Sequence, residues 1–335
     1  MNSIAIEINK VALGYGKKNL QEPIKKEVSL SGKYGELVAL IGANGIGKST
    51  LMKTVCGFIP PFSGEVLIHT NEISNIRNLS LNRRAKLISF VGTRIITDSI
   101  ITVFDYVALG RFPHTGRLGL LTETDTKKVL EALESVELLH LQHKKMVAIS
   151  DGEKQRAGIA CALAQDTPVV ILDEPTAYLD IAHKFDVVRL LRQIAHEQNK
   201  LLIYSTHDLN VALRLADKLW LMLADNCLQG APEDLVLSGN FDKIFANYNI
   251  NFSAEKSDFV FTRIAEGAIN IVQNSIENIW LANAFERLNY EINTLNSAPM
   301  QAFFDQSQQL YILKTQSITI MHKSIYELIS NFNSL

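Results

Sequence analysis

Several features are scarce in this sequence of 335 residues. Its three cysteines, Cys56, Cys161 and Cys227, are far apart and form no CxxC pair. This spacing argues against a disulfide framework or a zinc site and favours a reducing compartment. Lys and Arg (33) nearly balance Asp and Glu (35), for a net charge of −2. The sequence therefore lacks the basic excess typical of nucleic-acid-binding proteins, and we expect no nucleic-acid partner.

Long apolar runs are also missing. No stretch approaches the roughly 18 apolar residues of a membrane-spanning helix, and Met1 to Glu7 does not resemble a secretory signal. We therefore predict a cytoplasmic protein that contacts a membrane only through a partner. Hydrophobic residues nevertheless make up 47% of the chain, enough for a packed core. The length favours one large domain and a small one.

The first two-thirds of the chain alternates short apolar runs with helical stretches. Val38–Ile41, Val169–Leu172, Leu201–Tyr204 and Leu219–Leu223 are continuous apolar runs, as in strands that are buried on both faces of a parallel sheet. Ile181–Gln198 has helical spacing between two of them. This alternation predicts βαβ units and an α/β fold.

The pattern starts afresh near Phe259. Phe259–Phe261 and Leu310–Leu313 predict strands, and Val272–Leu288 predicts a helix. Ser324–Glu327 has the form of a capping box, which predicts a final short helix. These features indicate a separate small α+β domain.

The segment Gly42–Thr50, here called the phosphate loop, has the pattern G-x-x-x-x-G-K-[ST]. It lies between a predicted strand and a predicted helix, the context that this motif requires. Glycines let backbone N–H groups approach phosphate, Lys48 reaches the β- and γ-phosphates, and the Ser49 hydroxyl can ligate Mg²⁺. A glycine-rich turn with an incidental lysine is the competing interpretation. The expected nucleotide contacts are Gly42, Asn44, Gly45, Gly47, Lys48, Ser49 and Thr50.

Two acids follow the apolar run Val169–Leu172. Ligands of open α/β sheets bind beyond the carboxyl ends of the strands. Asp173 is suited to hold Mg²⁺, directly or through water, and Glu174 can polarise a water for attack on a γ-phosphate. A solvated acidic turn is the alternative.

Ser150–Arg156 reads S-D-G-E-K-Q-R and lies between the two nucleotide motifs. A serine and a glycine at a helix N-terminus can form a second anion site, although an ordinary N-capped helix is the alternative. The segment resembles the signature of ABC transporter ATPases, usually Leu-Ser-Gly-Gly-Gln. Ile149, Asp151 and Glu153 stand for its leucine, first glycine and glutamine.

This resemblance covers about Ile4 to Pro232 and implies the fold class: an α/β P-loop NTPase of the ABC ATPase type, with a mixed sheet core and a helical subdomain. We assign the nucleotide-binding domain to 1–250, its helical signature subdomain to about 93–165 and the α+β domain to 256–335. The resemblance implies ATP hydrolysis with Mg²⁺, in a head-to-tail dimer of two copies. Ser150, Gly152 and Glu153 would contact the ATP held by the partner copy.

Further segments match the family. Thr176–Asp180 resembles the D-loop, which implies that Asp180 lies at the dimer seam. His207 matches the switch histidine, which would contact the γ-phosphate and the attacking water. Tyr15 matches the aromatic residue that stacks on adenine. Val107–His114 is similar to importers of iron-siderophores, haem and vitamin B12, in the region that touches the permease.

The resemblance therefore implies an ATPase subunit that docks on integral membrane permease subunits at the cytoplasmic face of the inner membrane. A soluble non-transport ABC ATPase and a nucleotide-dependent regulatory module are the alternatives. The first would be expected to carry coiled-coil insertions or two ATPase units, and only one phosphate loop is present.

Two positions depart from the family pattern. Thr93 stands where most members have a glutamine, and its hydroxyl could still serve as a further Mg²⁺ ligand. Asp151 adds a negative charge near the predicted phosphate site, where two like charges repel by about 1–4 kcal/mol. We therefore expect Asp151 to turn away from the phosphate, toward a cation such as Lys154.

Overall fold

The computed structural model describes residues 3–15, 23–93, 100–116, 118–177, 179–245, 250–253, 258–261, 264–294 and 298–332. The chain forms two compact units, Met1–Phe259 and Val260–Leu335. Tyr178, which belongs to the segment that resembles the D-loop, lies outside the described residues.

Twelve strands and eight helices are described up to the border between the units. The strands are β1 (Ile4–Leu13), β2 (Lys25–Lys33), β3 (Leu37–Gly42), β4 (Ser63–His69), β5 (Ile73–Asn75), β6 (Ile88–Val91), β7 (Val169–Leu172), β8 (Leu201–Ser205), β9 (Lys218–Met222), β10 (Cys227–Gly230), β11 (Ile250–Ser253) and β12 (Asp258–Phe261). The helices are α1 (Lys48–Val55), α2 (Leu81–Ala85), α3 (Val103–Ala108), α4 (Glu123–Ser135), α5 (Asp151–Ala164), α6 (Ile181–Glu197), α7 (Leu209–Leu215) and α8 (Pro232–Leu237).

A six-stranded mixed sheet, in the order β10-β9-β3-β8-β7-β6, forms the centre of the first unit. Its strands are parallel except β10, which pairs antiparallel with β9. Strands β3, β7 and β8 are buried along their whole lengths, which explains their uninterrupted apolar sequences. Because they are parallel neighbours, their carboxyl ends lie at one edge of the sheet.

The two faces of this sheet pack into different cores. Leu37, Ala39 and Ile41 of β3 point into a core with helices α3 to α7, whereas Val38 and Leu40 point into a core with α1. The second core also includes β1 and β4 of the four-stranded antiparallel sheet β2-β1-β4-β5. The alternation follows from the two-residue period of a strand.

Helices α3, α4 and α5 share the first of these cores. Each begins with a capping box, in which the N-cap hydroxyl and the N3 carboxylate bond to each other's backbone N–H. The pairs are Thr102 with Asp105, Thr122 with Asp125, and Ser150 with Glu153.

A buried ion pair connects the turn after α3 to α4, and its arginine also bonds to the end of α5. Arg111 and Asp125 are both nearly inaccessible, and Nε of Arg111 donates to Oδ1 of Asp125 over 2.9 Å. Nη1 of Arg111 also donates to the Ala164 carbonyl over 2.7 Å. Next to it, a Cβ on Gly110 would lie 2.1 Å from the Cys161 carbonyl oxygen, so only glycine lets this turn meet α5.

The second unit has its own sheet and core. Its sheet has the order β14-β13-β15-β16-β17, with β13 parallel to both neighbours and the other pairs antiparallel. Residues from this sheet and both helices form one hydrophobic cluster. The elements are β13 (Gly267–Asn270), α9 (Ile276–Arg287), β14 (Tyr290–Asn293), β15 (Met300–Asp305), β16 (Leu310–Lys314), β17 (Thr319–His322) and α10 (Ile325–Phe332).

The predicted α/β and α+β elements are confirmed, most of them with bounds within one residue. The helix expected from Val272 begins at Ile276, because the Ser275 hydroxyl accepts the backbone N–H of Asn278 and caps the helix there. Ser324 accepts the backbone N–H of Glu327, as the predicted final cap requires. In the described residues, no helix has the length and apolar character needed to cross a membrane.

Candidate nucleotide site

Three neighbouring strand ends assemble the candidate site. The phosphate loop follows β3, Asp173 and Glu174 follow β7, and His207 follows β8. Since β8 pairs with both β3 and β7, residues that are far apart in sequence meet at one edge of the sheet.

Glycines give the phosphate loop its backbone path. Gly47 caps α1 with φ of 110°, in the left-handed region that L-residues rarely adopt. At Gly42 an added Cβ would lie 2.6 Å from the Met222 carbonyl oxygen. The turn therefore brings the amino end of α1 to the strand edge, where its free N–H groups can bind an anion.

Lys48 is the first residue of α1 and lies against the phosphate loop. Its ammonium donates to the carbonyl oxygens of Gly42, over 2.8 Å, and Ala43, over 3.1 Å. Burial lowers the pKa of Lys48, and the negative charges of Glu174 and Asp173 oppose this shift. The loop thus holds a cation beside two carboxylates, a position from which it can neutralise phosphate oxygens.

Asp173 and Glu174 are joined through a single hydroxyl. Ser205, at the end of β8, donates to Oδ1 of Asp173 over 2.7 Å and accepts the backbone N–H of Glu174 over 2.9 Å. Glu174 has φ of 53°, a left-handed conformation that costs a non-glycine residue on the order of 1–3 kcal/mol. Such strain persists where surrounding contacts hold it and is concentrated at functional sites.

The Glu174 side chain reaches His207. Its Oε1 lies 2.8 Å from Nε2 of His207. Because a carboxylate only accepts, Nε2 carries the hydrogen in this bond. The pair is partly exposed, so a water or phosphate can approach it.

Tyr15 also reaches the phosphate loop. Thr50, which is buried in α1, donates its hydroxyl to the Tyr15 hydroxyl over 3.0 Å. Tyr15 itself is exposed, so its ring is available to a flat ligand.

The segment that resembles the signature forms the start of α5. Ser150 caps the helix: its Oγ accepts the Glu153 N–H over 3.3 Å, and Oε2 of Glu153 accepts the Ser150 N–H over 2.7 Å. These bonds lower the pKa of Glu153. Asp151 turns to Lys154, with 2.9 Å between Oδ1 and Nζ, as expected from its charge. Gly152 leaves the helix start uncovered, since the nearest atom to an added Cβ is 3.8 Å away, on His183.

Two further predicted residues lie on the rim. Asp180 caps α6 and accepts the backbone N–H of His183 over 2.9 Å, which with the His183 ring lowers the pKa of Asp180. Thr93 follows β6, next to the strand that carries Asp173, and is half-buried.

Among the described residues, side-chain hydrogen bonds link some of the predicted site residues to one another and leave others separate. They connect Tyr15 to the phosphate loop and Glu174 to His207, whereas the Ser150 side chain bonds only to Glu153. Sequence reasoning gave no role to Ser205, although a hydroxyl that ends an apolar strand was an available signal. The Arg111–Asp125 pair also went unnoticed, because the two residues look like ordinary surface charges in sequence.

Comparison with known proteins identifies the family of this chain. Residues 25–177 match the family model described as ABC transporter. An uncharacterized ABC transporter ATP-binding protein of Methanocaldococcus jannaschii is 36% identical over 249 residues, which are 74% of this chain and 83% of the relative. The ferric enterobactin transport ATP-binding protein of Escherichia coli is 34% identical over 236 residues, 70% of this chain and 84% of the relative.

One similar solved structure is a dimer. It is a dimeric ATP-binding cassette in a post-hydrolysis state, bound to ADP and Pi. It is 27% identical, has a TM-score of 0.57, and the match covers 68% of this chain and 98% of that one.

The chain belongs to the ABC transporter ATP-binding protein family. The predicted fold class is confirmed by structural neighbours, and the protein is an ATPase. The family binds ATP.

Proposed function

We propose that this chain binds ATP with Mg²⁺ at the edge of the central sheet and hydrolyses it to drive import through a membrane permease. The observation that carries this proposal is the contact of 2.8 Å between Glu174 and His207, which follow two strands that neighbour each other in the sheet, and β8, the strand before His207, also pairs with β3, which leads into the phosphate loop. A carboxylate held by a histidine beside a phosphate site is suited to polarise an attacking water.

In the proposed reaction, Lys48 and the loop N–H groups bind the β- and γ-phosphates while Tyr15 stacks on the adenine. Glu174 accepts a hydrogen bond from the attacking water and orients it toward phosphorus. In the absence of nucleotide the Nε2 hydrogen of His207 bonds to Glu174, and with ATP bound the same hydrogen would turn to the γ-phosphate. Positioning of this kind is the main contribution of proteins to phosphoryl transfer.

The donor atoms at the site suit Mg²⁺. Mg²⁺ prefers oxygen ligands and usually combines one or two carboxylates with phosphates and water. Among the described residues, hydrogen bonds reach Oδ1 but not Oδ2 of Asp173, and Ser49 adds a hydroxyl on the first turn of α1. We propose Asp173 and Ser49 as ligands, with Thr93 as a further one. When bound, the ion would neutralise charge on the phosphates.

The proposal includes a head-to-tail dimer. Ser150, Gly152 and Glu153 would then contact the γ-phosphate bound by the partner copy, with Asp180 at the seam. The exposed start of α5, with its Ser150 cap, supports this assignment, as does the dimeric form of the related cassette. ATP can favour the closed dimer only through greater affinity for it, which contacts from both copies would provide.

The proposed partner is an integral membrane permease, which places the protein at the cytoplasmic face of the inner membrane. Leu109 and Phe112, within the segment Val107–His114, expose large apolar side chains that such a partner could cover. The proposed substrate is of the iron-siderophore, haem or cobalamin type, and the name of the E. coli relative, for ferric enterobactin transport, supports the first of these.

ATP turnover by the Glu174→Gln variant tests the proposal. The amide keeps the shape of the side chain but cannot act as a base, so we expect ATP binding to persist and turnover to fall by about 10²–10⁴-fold. Gel filtration with ATP should show the variant trapped as a dimer. Rapid turnover by this variant would refute the role of Glu174.

The Lys48→Ala variant separates binding from chemistry. Loss of the ammonium should weaken ATP binding itself, measured by titration with a fluorescent ATP analogue. Unchanged affinity would contradict the placement of the triphosphate on the phosphate loop. Copurification with a permease would distinguish a transporter subunit from a soluble ATPase or a regulatory module.

A further inference from the structure

The hydroxyl of Ser205 lies between the two carboxylates of the proposed reaction. Ser205 is fully buried at the end of β8. A serine hydroxyl has one hydrogen to donate, and here that hydrogen is directed to Oδ1 of Asp173 over 2.7 Å. One lone pair of the same oxygen accepts the backbone N–H of Glu174 over 2.9 Å.

We propose that Ser205 is a positioning residue for ATP hydrolysis, which holds the orientation of Asp173 and the left-handed backbone of Glu174 through one hydroxyl. This inference rests on the proposed function and adds to it a residue that needs no contact with the nucleotide.

The left-handed backbone of Glu174 explains why its N–H needs the hydrogen bond to Ser205. At φ of 53°, this residue would relax toward negative φ unless its N–H were held. A change in φ rotates the side chain, and the distance of 2.8 Å to Nε2 of His207 would be lost. The Ser205 hydroxyl is thus placed to keep the proposed base pointing at the histidine.

Asp173 depends on the same hydroxyl in a different way. The hydrogen bond from Ser205 to Oδ1 restrains rotation of the Asp173 carboxylate and leaves Oδ2 for another partner. A buried carboxylate without its donor would rotate or attract water. The hydroxyl therefore orients the oxygen that we assign to Mg²⁺.

Ser89 offers a matched control in the same sheet. It is also fully buried, lies in β6, and bonds through its hydroxyl to the Thr167 hydroxyl over 3.0 Å. That bond reaches neither carboxylate. Ser89→Ala and Ser205→Ala thus each remove one buried hydroxyl oxygen from a strand of the central sheet. Only Ser205→Ala removes a hydroxyl that contacts Asp173 and Glu174.

Steady-state ATPase assays on the full-length wild type and the variants Ser205→Ala, Ser205→Thr and Ser89→Ala test the inference. We expect Ser205→Ala to lower kcat on the order of 10–100-fold and to raise KM for MgATP by a much smaller factor, because Lys48 and the phosphate loop still hold the triphosphate. Ser205→Thr keeps the hydroxyl and should retain most of kcat. Ser89→Ala should match the wild type.

Nucleotide affinity gives a second measurement that does not depend on turnover. In EDTA, Ser205→Ala should bind ATP as tightly as the wild type. On addition of Mg²⁺, its gain in affinity should be smaller than that of the wild type. Thermal melts show whether each variant is folded.

The outcomes are distinct. A Ser205→Ala variant with the kcat and Mg²⁺ response of Ser89→Ala overturns the inference and leaves the proposed function intact. Equal losses in both alanine variants, or a folded Ser205→Thr variant as slow as Ser205→Ala, also overturn it. Absence of ATPase activity in the wild type would remove the proposed function and this inference together.

Discussion

Asp125 is a buried carboxylate whose negative charge is stabilised by two neighbours, Thr122 and Arg111. Its Oδ2 accepts the Thr122 hydroxyl over 2.6 Å and the Thr122 N–H over 3.0 Å, and Oδ1 accepts from Arg111. The bonds from Thr122, followed by those from Arg111, lower the pKa of Asp125 to about 2 against the opposing effect of burial. Since this is below the unfolded value of about 3.9, the stabilisation is complete above pH about 4 and is lost as pH falls through about 2.

We predict that Asp125→Asn lowers the free energy of unfolding by about 3–5 kcal/mol at pH 7, because Arg111 remains buried without a counter-charge. Asp105 occupies the equivalent cap of α3 but is exposed, so Asp105→Asn should cost about 1 kcal/mol. Urea denaturation measures both. The deficit of Asp125→Asn should shrink between pH 4 and pH 2; equal losses in the two variants would argue against a buried pair.

The role of a residue could be predicted from the sequence where a motif fixes its spacing from other residues. Lys48 follows from the glycine pattern, and Asp173 and Glu174 follow from an apolar run that ends in acids. The ion pair of Asp151 with Lys154 also follows, because three residues along a helix bring side chains to one face. The hydroxyl of Ser205 at the end of an apolar run is visible in the sequence, but its partners are not, since they are 32 and 31 positions away.

At the scale of the element, the turn at Gly110 lies so close to the backbone of α5 that it has no room for a larger side chain. Gly110→Ala would place a methyl 2.1 Å from the Cys161 carbonyl oxygen, so α5 or the turn must move. We predict a loss of about 1–3 kcal/mol in stability. Gly116→Ala is the control, because an added Cβ there meets no atom within 4 Å. Thermal melts should show the control within about 0.5 kcal/mol of wild type, and a neutral Gly110→Ala would contradict the packing.

The start of α5 allows its capping and binding roles to be separated. Ser150 and Thr102 form the same kind of capping box, so each substitution by alanine should cost about 0.5–2 kcal/mol. ATP-dependent dimerisation, measured by light scattering in the Glu174→Gln background, should be lost only in Ser150→Ala. If both alanine variants dimerise alike, Ser150 is an ordinary N-cap.

At the scale of the whole molecule, the two units have no core in common, which predicts two unfolding transitions. The core of the second unit includes Ile269, Leu281, Phe285 and Leu313, all nearly inaccessible. We predict that Phe285→Ala destabilises that unit by about 3–5 kcal/mol and leaves the other transition and the ATPase rate unchanged. Calorimetry of the full-length protein measures this. A single transition that moves as a whole would show that the units unfold together.

The sequence alone determined the class of fold and the family, because local periodicity and motif spacing report backbone geometry directly. It placed the phosphate loop after one strand and the acids after another. Tertiary structure decided which strand ends are neighbours. Only the order β3-β8-β7 brings Ser205 between Asp173 and Glu174 and sets His207 against Glu174. Such contacts depend on pairing between strands that are distant in sequence, which no local pattern encodes.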